Sequence, residues 1–378
     1  MNILFLTHND DLLGSSRSLL NLLDGLRNHE IKPYVVIDKE GLLQKELEAR
    51  GIPYGILPLV WWMTDTRRSL RVWFNFVTQL LPSLRPFVQL IKEWQIDLVY
   101  SNSSVFPVGS MAALIKQIPH IWHVREFGDL DFSLKYIPPG NLCLKFIRKS
   151  SHVIYNSSAV RNHYNLNANK NQSVIYNGIA SRAQYDAYRV MRSEVSREPI
   201  FTFLIIGSIS PRKGQASAIS AVARLKEIGI PCQLIVVGTG PEPYVASLHR
   251  LTENLGISDS VIFTGLIENP YEVFMTSDCL LMCSTYEAFG RVTTEAMSAC
   301  LPVIGKNSGG TPEIIVHGET GFLYNSDDEL VEYMTRMATN PELGYHMGLA
   351  GWQRAKHLFN IEDYAARVFN VIQSVIRR

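Results

Sequence analysis

Cys279–Ala299 reads CLLMCSTYEAFGRVTTEAMSA. Five apolar residues, Cys279–Cys283, run into a polar turn that holds Glu287, and a helical pattern starts at Phe289–Gly290 and carries on to Ala299. An apolar run this short, ended by a turn, fits a strand buried on both faces, with the next helix covering one of them. A strand, a tight turn and a helix in this order form half of a parallel βα unit. Whether the chain repeats it decides the fold.

It does repeat. In the first half, Met1–Leu6, Pro33–Ile37, Ile96–Tyr100, Ile118–Trp122 and His152–Tyr155 read as buried strands, with helices at Ser18–Arg27 and Leu42–Arg50. The pattern restarts with strands Phe201–Ile206, Cys232–Val237, Val261–Phe263, Cys279–Cys283 and Pro302–Ile304. Helices fall between or after them at Ala216–Glu227, Tyr244–Leu255, Gly290–Ala299 and Asp328–Met337. The polar stretch from about Asn177 to Pro199 lacks strong periodicity and reads as the connection between two domains. The expected fold class is α/β, with two Rossmann-like doubly wound domains facing across a cleft and a ligand at the carboxyl ends of their strands.

The 378 residues suffice for two cores, and a net charge of +1 gives no long-range field for nucleic acid. Cys143, Cys232, Cys279, Cys283 and Cys300 are odd in number, scattered and mostly apolar in setting, so they read as reduced core thiols of a cytoplasmic protein. The start, MNILFLTHNDD, has no basic segment and too short an apolar run for a secretory leader, and no stretch reaches the roughly 18 apolar residues a membrane span needs. Between Trp61 and Trp94, aromatic residues (Trp61, Trp62, Trp73, Phe74, Phe76, Trp94) mix with Arg67, Arg68, Arg71, Arg85 and Lys92 against a single acid in the Trp61–Lys92 stretch, Asp65. That mixture suits either a membrane-touching surface or a core-packing helix with a basic edge.

Four turns of the second half follow strands, where doubly wound sheets bind ligands. Gly207–Gly214, GSISPRKG, offers adjacent Arg212 and Lys213 beside glycine, a fork and a point charge suited to a diphosphate. Val237–Glu242, VGTGPE, carries Gly240, and Phe263–Asn269, FTGLIEN, carries Ile267 where backbone groups can meet a nucleotide base. In the quoted stretch, glycine lets an oxygen-rich ligand approach the helix's first amides. Glu295, one and a half turns further on, can reach back toward a ribose diol, and Glu287 toward sugar hydroxyls. The apolar neighbours of Glu295 make its helix look buried, and a buried acid without a polar partner is costly, which favours a ligand role.

Taken together, Arg212-Lys213-Gly214, Val237–Gly240, Phe263–Gly265, Glu287-Ala-Phe-Gly-(x)4-Glu295, Gly309-Gly310-Thr311-Pro312-Glu313-Ile314 and the run Val174–Ile179 (VIYNGI) resemble the retaining glycosyltransferases of family 4, or group 1, which have the GT-B fold. The resemblance covers nearly the whole chain, in the right order. It implies an acceptor-side domain at 1–180, a nucleotide-sugar domain at 181–357 and a helix at 358–378 that crosses back to the first. It also implies that Arg212 and Lys213 hold the diphosphate and Glu295 the ribose. Glu287, with the amides near Phe289, Gly290 and Arg291, holds the sugar and phosphate, while Gly309, Gly310 and Thr311 form a wall beside the donor. Gly207, Gly240 and Ile267 complete the donor site. His123, in the run HVRE, resembles the histidine that meets the donor sugar, with Arg125 and Glu126 after it either acceptor-side groups or a local ion pair. Gly14 resembles the glycine whose loop approaches the phosphates, although this chain has Gly14-Ser15-Ser16-Arg17 where the family usually has Gly-Gly-x-Glu.

The implied reaction is metal-independent transfer of a sugar from a UDP-, GDP- or other nucleotide-sugar donor to a hydroxyl acceptor, with retention, in polysaccharide or glycolipid assembly. The acceptor would be a saccharide or lipid-linked, met at the inner face of the plasma membrane if residues 61–94 touch it. Asp129-Leu-Asp131 spells DxD, a metal signature of glycosyltransferases of another fold, but lies outside the donor half. Two rival readings are a sugar-nucleotide epimerase on the same plan and a non-catalytic nucleotide-sugar binding subunit. The Glu287/Glu295 spacing argues against the first, and Arg212, Lys213 and both glutamates kept at one site argue against the second.

Overall fold

The computed structural model describes residues 1–8, 12, 14–66, 69–165, 171–195 and 200–377. The chain divides into two compact units, Met1–Gly178 with Ile361–Arg378, and Ile179–Asn360.

The strands of the first unit are β1 (Asn2–Thr7), β2 (Lys32–Ile37), β3 (Tyr54–Ile56), β4 (Met63–Thr64), β5 (Leu98–Ser101), β6 (His120–Val124), β7 (Lys135–Tyr136), β8 (His152–Tyr155) and β9 (Gln172–Val174). Among the described residues, seven of them form a parallel sheet in the order β3-β2-β1-β5-β6-β8-β9, and β4 pairs antiparallel with β7. Ile3, Phe5, Val35, Ile37, Leu98 and Tyr100 bury the sheet's face against the helix Gly14–Gly25, through Leu19, Leu22 and Leu23, and against the helix Ile361–Ile376. That last helix supplies Tyr364, Ala365, Val368, Ile372 and Val375, a stripe at helical spacing. The two helices meet so closely that a Cβ on Gly25 would stand 2.5 Å from the Cβ of Ala365.

The second unit has β10 (Phe201–Ile206), β11 (Cys232–Val237), β12 (Val261–Gly265), β13 (Cys279–Met282), β14 (Val303–Lys306) and β15 (Gly321–Tyr324). They form a parallel six-stranded sheet in the order β12-β11-β10-β13-β14-β15. In both units the strand order reverses beside the first strand, between β1 and β5 and between β10 and β13. Loops leave a reversal in opposite directions and open a crevice at the carboxyl ends of the strands, where ligands of such sheets bind.

The 177–199 stretch holds a 13-residue helix, Arg182–Glu194, opened by a capping box between Ser181 and Gln184. A cation helps anchor it: the Arg192 guanidinium donates to the carbonyls of Phe274, Met275 and Ser277. Pro199 lies outside the described residues.

Within 61–94, most residues form a 24-residue helix, Leu70–Glu93, capped by the Ser69 hydroxyl. One face buries Phe76, Leu80, Leu84, Phe87 and Ile91. A neighbouring face exposes Leu70, Phe74 and Leu81, and Arg85 and Lys92 fall on the same side at about 100° per residue, while Trp73, in line with the buried stripe near the start of the helix, is itself exposed. Trp62 and Phe76 are buried, and Trp94 stacks on Tyr34 at 4.9 Å. Arg67 and Arg68 lie outside the described residues. All five cysteines are free, four of them buried. Among the described residues, no helix is long and apolar enough to cross a membrane.

The contact at Gly25 gives a test of how firmly the last helix is held. Gly25→Val overpacks it and is expected to lower the unfolding free energy by about 1–3 kcal/mol, read by urea denaturation. An unchanged midpoint would show that the two helices do not pack this closely.

Candidate functional site

The reversal in the second unit brings three loops together. The loop after β10 runs through Gly207 to a single 3-10 turn, Pro211–Lys213, and Gly214. Gln215 holds its shape, donating from its amide nitrogen to the Ser208 carbonyl and accepting from the Ser210 amide. The loop after β13 carries Glu287 into the helix Arg291–Ser298, whose cap, Gly290, has a φ of +99°. The loop after β14 passes through Gly309 and Gly310 to Thr311.

Backbone hydrogen bonds stitch these loops to one another. The Thr285 amide donates to the Arg212 carbonyl at 2.9 Å, and the Gly310 amide to the Glu287 carbonyl at 2.7 Å. The Ser308 hydroxyl donates to the Thr285 carbonyl at 2.6 Å. So close an approach requires glycine. A Cβ on Gly214 would stand 2.5 Å from the Cys283 carbonyl oxygen, and one on Gly309 would stand 2.4 Å from that of Glu287, both at positive φ. The Gly238–Gly240 pair is likewise structural, because the Ile209 amide donates to the Thr239 carbonyl and a Cβ on Gly240 would stand 2.0 Å from the Ile209 carbonyl.

The charges sit on this frame. Lys213 Nζ lies 2.8 Å from Glu287 Oε2, with both side chains part-buried. Arg291 Nη2 lies 2.9 Å from Glu295 Oε1, one helical turn away, with side chains 13% and 10% exposed. The expectation that Glu295 is a buried acid lacking a polar partner is therefore corrected: Arg291, at i−4, faces it along the helix. Arg212 is part-buried beside Lys213. Phe289 is 3% exposed and packs edge-on against Phe359, so its side chain anchors the turn. The Thr311 hydroxyl is buried and has no partner among the described residues. Ile267 lies apart, in the part-exposed loop after the edge strand β12.

Two tyrosines near Glu295 left no trace in the sequence reading. Tyr188 and Tyr271 stack with ring centroids 4.0 Å apart, and Tyr271 shares a hydrogen bond with Ser298. Burial first, and then the Glu295 carboxylate, pushes the Tyr271 hydroxyl well above its usual pKa.

His123 and Gly14 belong to the first unit. His123 is fully buried at the end of β6, with Nδ1 facing the Tyr100 hydroxyl and the Arg125 guanidinium. Burial first, then the Arg125 charge, holds the ring well below its usual pKa. Gly14 opens its helix after β1, where the next residue's carbonyl, Ser15 O, accepts from Asn102. Arg17 donates to the Leu12 carbonyl.

The Arg125 and Glu126 side chains turn to different partners, although the Arg125 amide donates to Glu126 Oε2 at 3.2 Å. Arg125 bonds Asn102, Asn177 and Tyr364 as well as His123. Glu126 Oε1 accepts from the Ser103 hydroxyl and from both the amide and hydroxyl of Ser104, while burial raises its pKa. The acids of the DxD are occupied locally. Asp131 accepts from the amides of Phe127 and Gly128, and Asp129 lies 2.8 Å from His163.

Comparison with known proteins places the chain in a family and a fold. A family model described as Glycosyltransferase Family 4 matches residues 13–182, and one described as Glycosyl transferases group 1 matches residues 189–353. The N-acetyl-alpha-D-glucosaminyl L-malate synthase of Bacillus anthracis is 28% identical over 231 residues, 60% of this chain and 59% of the relative. A GDP-mannose-dependent alpha-(1-6)-phosphatidylinositol monomannoside mannosyltransferase of Mycobacterium tuberculosis is 28% identical over 183 residues, 46% of this chain and 47% of the relative. The chain thus spans between about half and three fifths of the length of these curated relatives. Among solved structures, Anabaena HepE in complex with UDP-glucose superposes with a TM-score of 0.81 over 99% of this chain and 100% of that one, at 24% identity, a likeness of fold. The fold is GT-B.

The frame leaves no room for a side chain at Gly309. Gly309→Ala forces an L-residue into a left-handed conformation, costing about 1–2 kcal/mol before any clash with the Glu287 carbonyl. A fall in thermal midpoint of about 4 °C or more is expected by calorimetry. A midpoint equal to that of the unmodified protein would contradict the close approach.

Proposed function

The chain belongs to the family 4, group 1 glycosyltransferases, and from that premise we propose that it moves a sugar from a nucleoside-diphosphate donor to a hydroxyl acceptor with retention of configuration. The observation that carries this reading is the Lys213–Glu287 pair at 2.8 Å, held at the strand-order reversal beside Arg212 and a helix N-terminus. An anionic diphosphate competes with Glu287 for Lys213 and frees that carboxylate for sugar hydroxyls.

The roles follow from where charge develops. As the bond between sugar and phosphate breaks, negative charge grows on the diphosphate, where Arg212, Lys213 and the amides of Phe289, Gly290 and Arg291 meet it. Groups already in place cost no reorganisation at that moment. Glu295 accepts from the ribose diol, released from or shared with Arg291, while Gly310 and Thr311 line the donor's far side. Gly207, Gly240 and Ile267 shape the nucleotide end through their backbones. In the same reading, His123 meets the donor sugar and the loop at Gly14 the phosphates. The acceptor attacks on the face the phosphate leaves, and the departing phosphate oxygen takes its proton, so no protein base is required. The reaction needs no metal.

The acceptor is a saccharide or lipid-linked, and the exposed face of the helix Leu70–Glu93 is a peripheral membrane contact. Apolar Leu70, Trp73, Phe74 and Leu81 stand at 48–89% exposure beside Arg71, Arg85 and Lys92, a pattern suited to an anionic lipid surface.

Three measurements test the reading. With the matching donor, found by thermal stabilisation across a panel of UDP- and GDP-sugars, Lys213→Ala and Glu295→Gln are each expected to lower turnover about 100- to 1000-fold with folding unchanged. Near-normal turnover in both rejects this site, and donor conversion without acceptor would indicate the epimerase reading instead. Full activity in excess chelator is expected, and its loss would overturn metal independence. Finally, sedimentation with anionic vesicles at low salt is expected for the unmodified protein and not for a Trp73→Ser/Phe74→Ser variant. A protein that stays in the supernatant sinks the membrane contact.

A further inference from the structure

His123 has two ring nitrogens in different situations. Nδ1 faces the Arg125 guanidinium at 3.1 Å and the Tyr100 hydroxyl. Nε2 is buried and has no partner among the described residues. A guanidinium has only donors and stays charged, so the nitrogen it faces must offer a lone pair. In a neutral imidazole the hydrogen then sits on Nε2. The tyrosine does not settle this by itself, because a hydroxyl can donate to Nδ1 or accept from it.

Arg125 is in turn held at several points. Its Nε donates to Asn102 Oδ1 at 2.8 Å, Nη1 to Asn177 Oδ1 and Nη2 to the Tyr364 hydroxyl at 2.8 Å. Asn102 follows β5 and also grips the Ser15 carbonyl beside Gly14, while Tyr364 comes from the helix Ile361–Ile376. One buried guanidinium thus joins the end of β5, the end of β6, the segment at Asn177 and the last helix, and through Asn102 the start of the helix Gly14–Gly25. A residue serving only to fill space has no need of this many directed bonds. Fixing a ring's orientation does.

We propose that Arg125 is a positioning residue that sets His123 as the Nε2–H tautomer and so presents a hydrogen-bond donor at that nitrogen, with Asn102, Asn177 and Tyr364 holding the guanidinium in place. The inference rests on the reading that His123 meets the donor sugar, and its ligand chemistry follows: a sugar hydroxyl or ring oxygen with a lone pair to accept that hydrogen. The last helix takes part in setting this donor through Tyr364.

The test uses the full chain with 15N-labelled histidine, reading the tautomer of His123 from long-range nitrogen–proton correlations. His123 in the unmodified protein is expected to be neutral with hydrogen on Nε2. Tyr100→Phe keeps that tautomer, because Arg125 still enforces it. Arg125→Gln, whose amide can donate or accept, gives a mixture with Nδ1–H. Tyr364→Phe, the conservative variant, shifts the same readout less. In turnover, Arg125→Gln is expected to lower kcat about 10- to 100-fold with donor KM little changed, as for other partners that orient a functional histidine. An Nδ1–H tautomer in the unmodified protein, or an unchanged tautomer in folded Arg125→Gln, overturns the proposal. If the tautomer shifts in Arg125→Gln while kcat holds, Arg125 still sets the ring, and it is the contact of His123 with the sugar that falls.

Discussion

Backbone packed directly on backbone is the constraint on which the second unit depends. At the carboxyl ends of β10, β13 and β14 the loops approach so closely that a single methyl group on Gly214 or Gly309 would collide with a carbonyl oxygen of the neighbouring loop. Such contact satisfies polar groups that would otherwise need water, through the Arg212–Thr285 and Glu287–Gly310 bonds. It also leaves Lys213, Glu287 and the start of the helix Arg291–Ser298 on a frame with little freedom to move apart. Charge held on a stiff frame is what a reaction with a developing diphosphate charge requires.

Much of this was legible in the sequence, for identifiable reasons. Strands such as β8, β10 and β11 are mostly apolar because a parallel sheet buries both of its faces, and their boundaries follow from where polarity returns. The quoted Cys279–Ala299 stretch shows its strand, turn and helix because each step changes the hydrophobic period. By contrast, the helix Arg182–Glu194 is anchored by a guanidinium on three carbonyls, a polar device that periodicity does not register. The three-residue strands β3 and β9 are too short to carry a pattern of their own.

The site was legible by residue type more than by partner. Glycines and adjacent cations after strands mark the loops, but the pairing of Lys213 with Glu287 joins residues 74 positions apart, and no spacing rule reports it. Arg291 is a different matter. It stands four residues before Glu295, at the separation where helical side chains meet, so that pairing was readable in the quoted stretch itself. Around His123 the supporting groups come from five separate segments, and only the fold assembles them. The helix Leu70–Glu93 packs one face into the core and exposes apolar and basic side chains on another, a division its composition alone did not reveal.

The central claim is that the cation now paired with Glu287 is held ready for a diphosphate. A crystal structure of the chain with a bound nucleoside diphosphate tests it most directly. The account predicts Lys213 Nζ turned from Glu287 to within hydrogen-bond distance of a phosphate oxygen, with Arg212 beside it and the start of the helix Arg291–Ser298 against the phosphates. A diphosphate bound elsewhere, with Lys213 and Glu287 still joined, would contradict it.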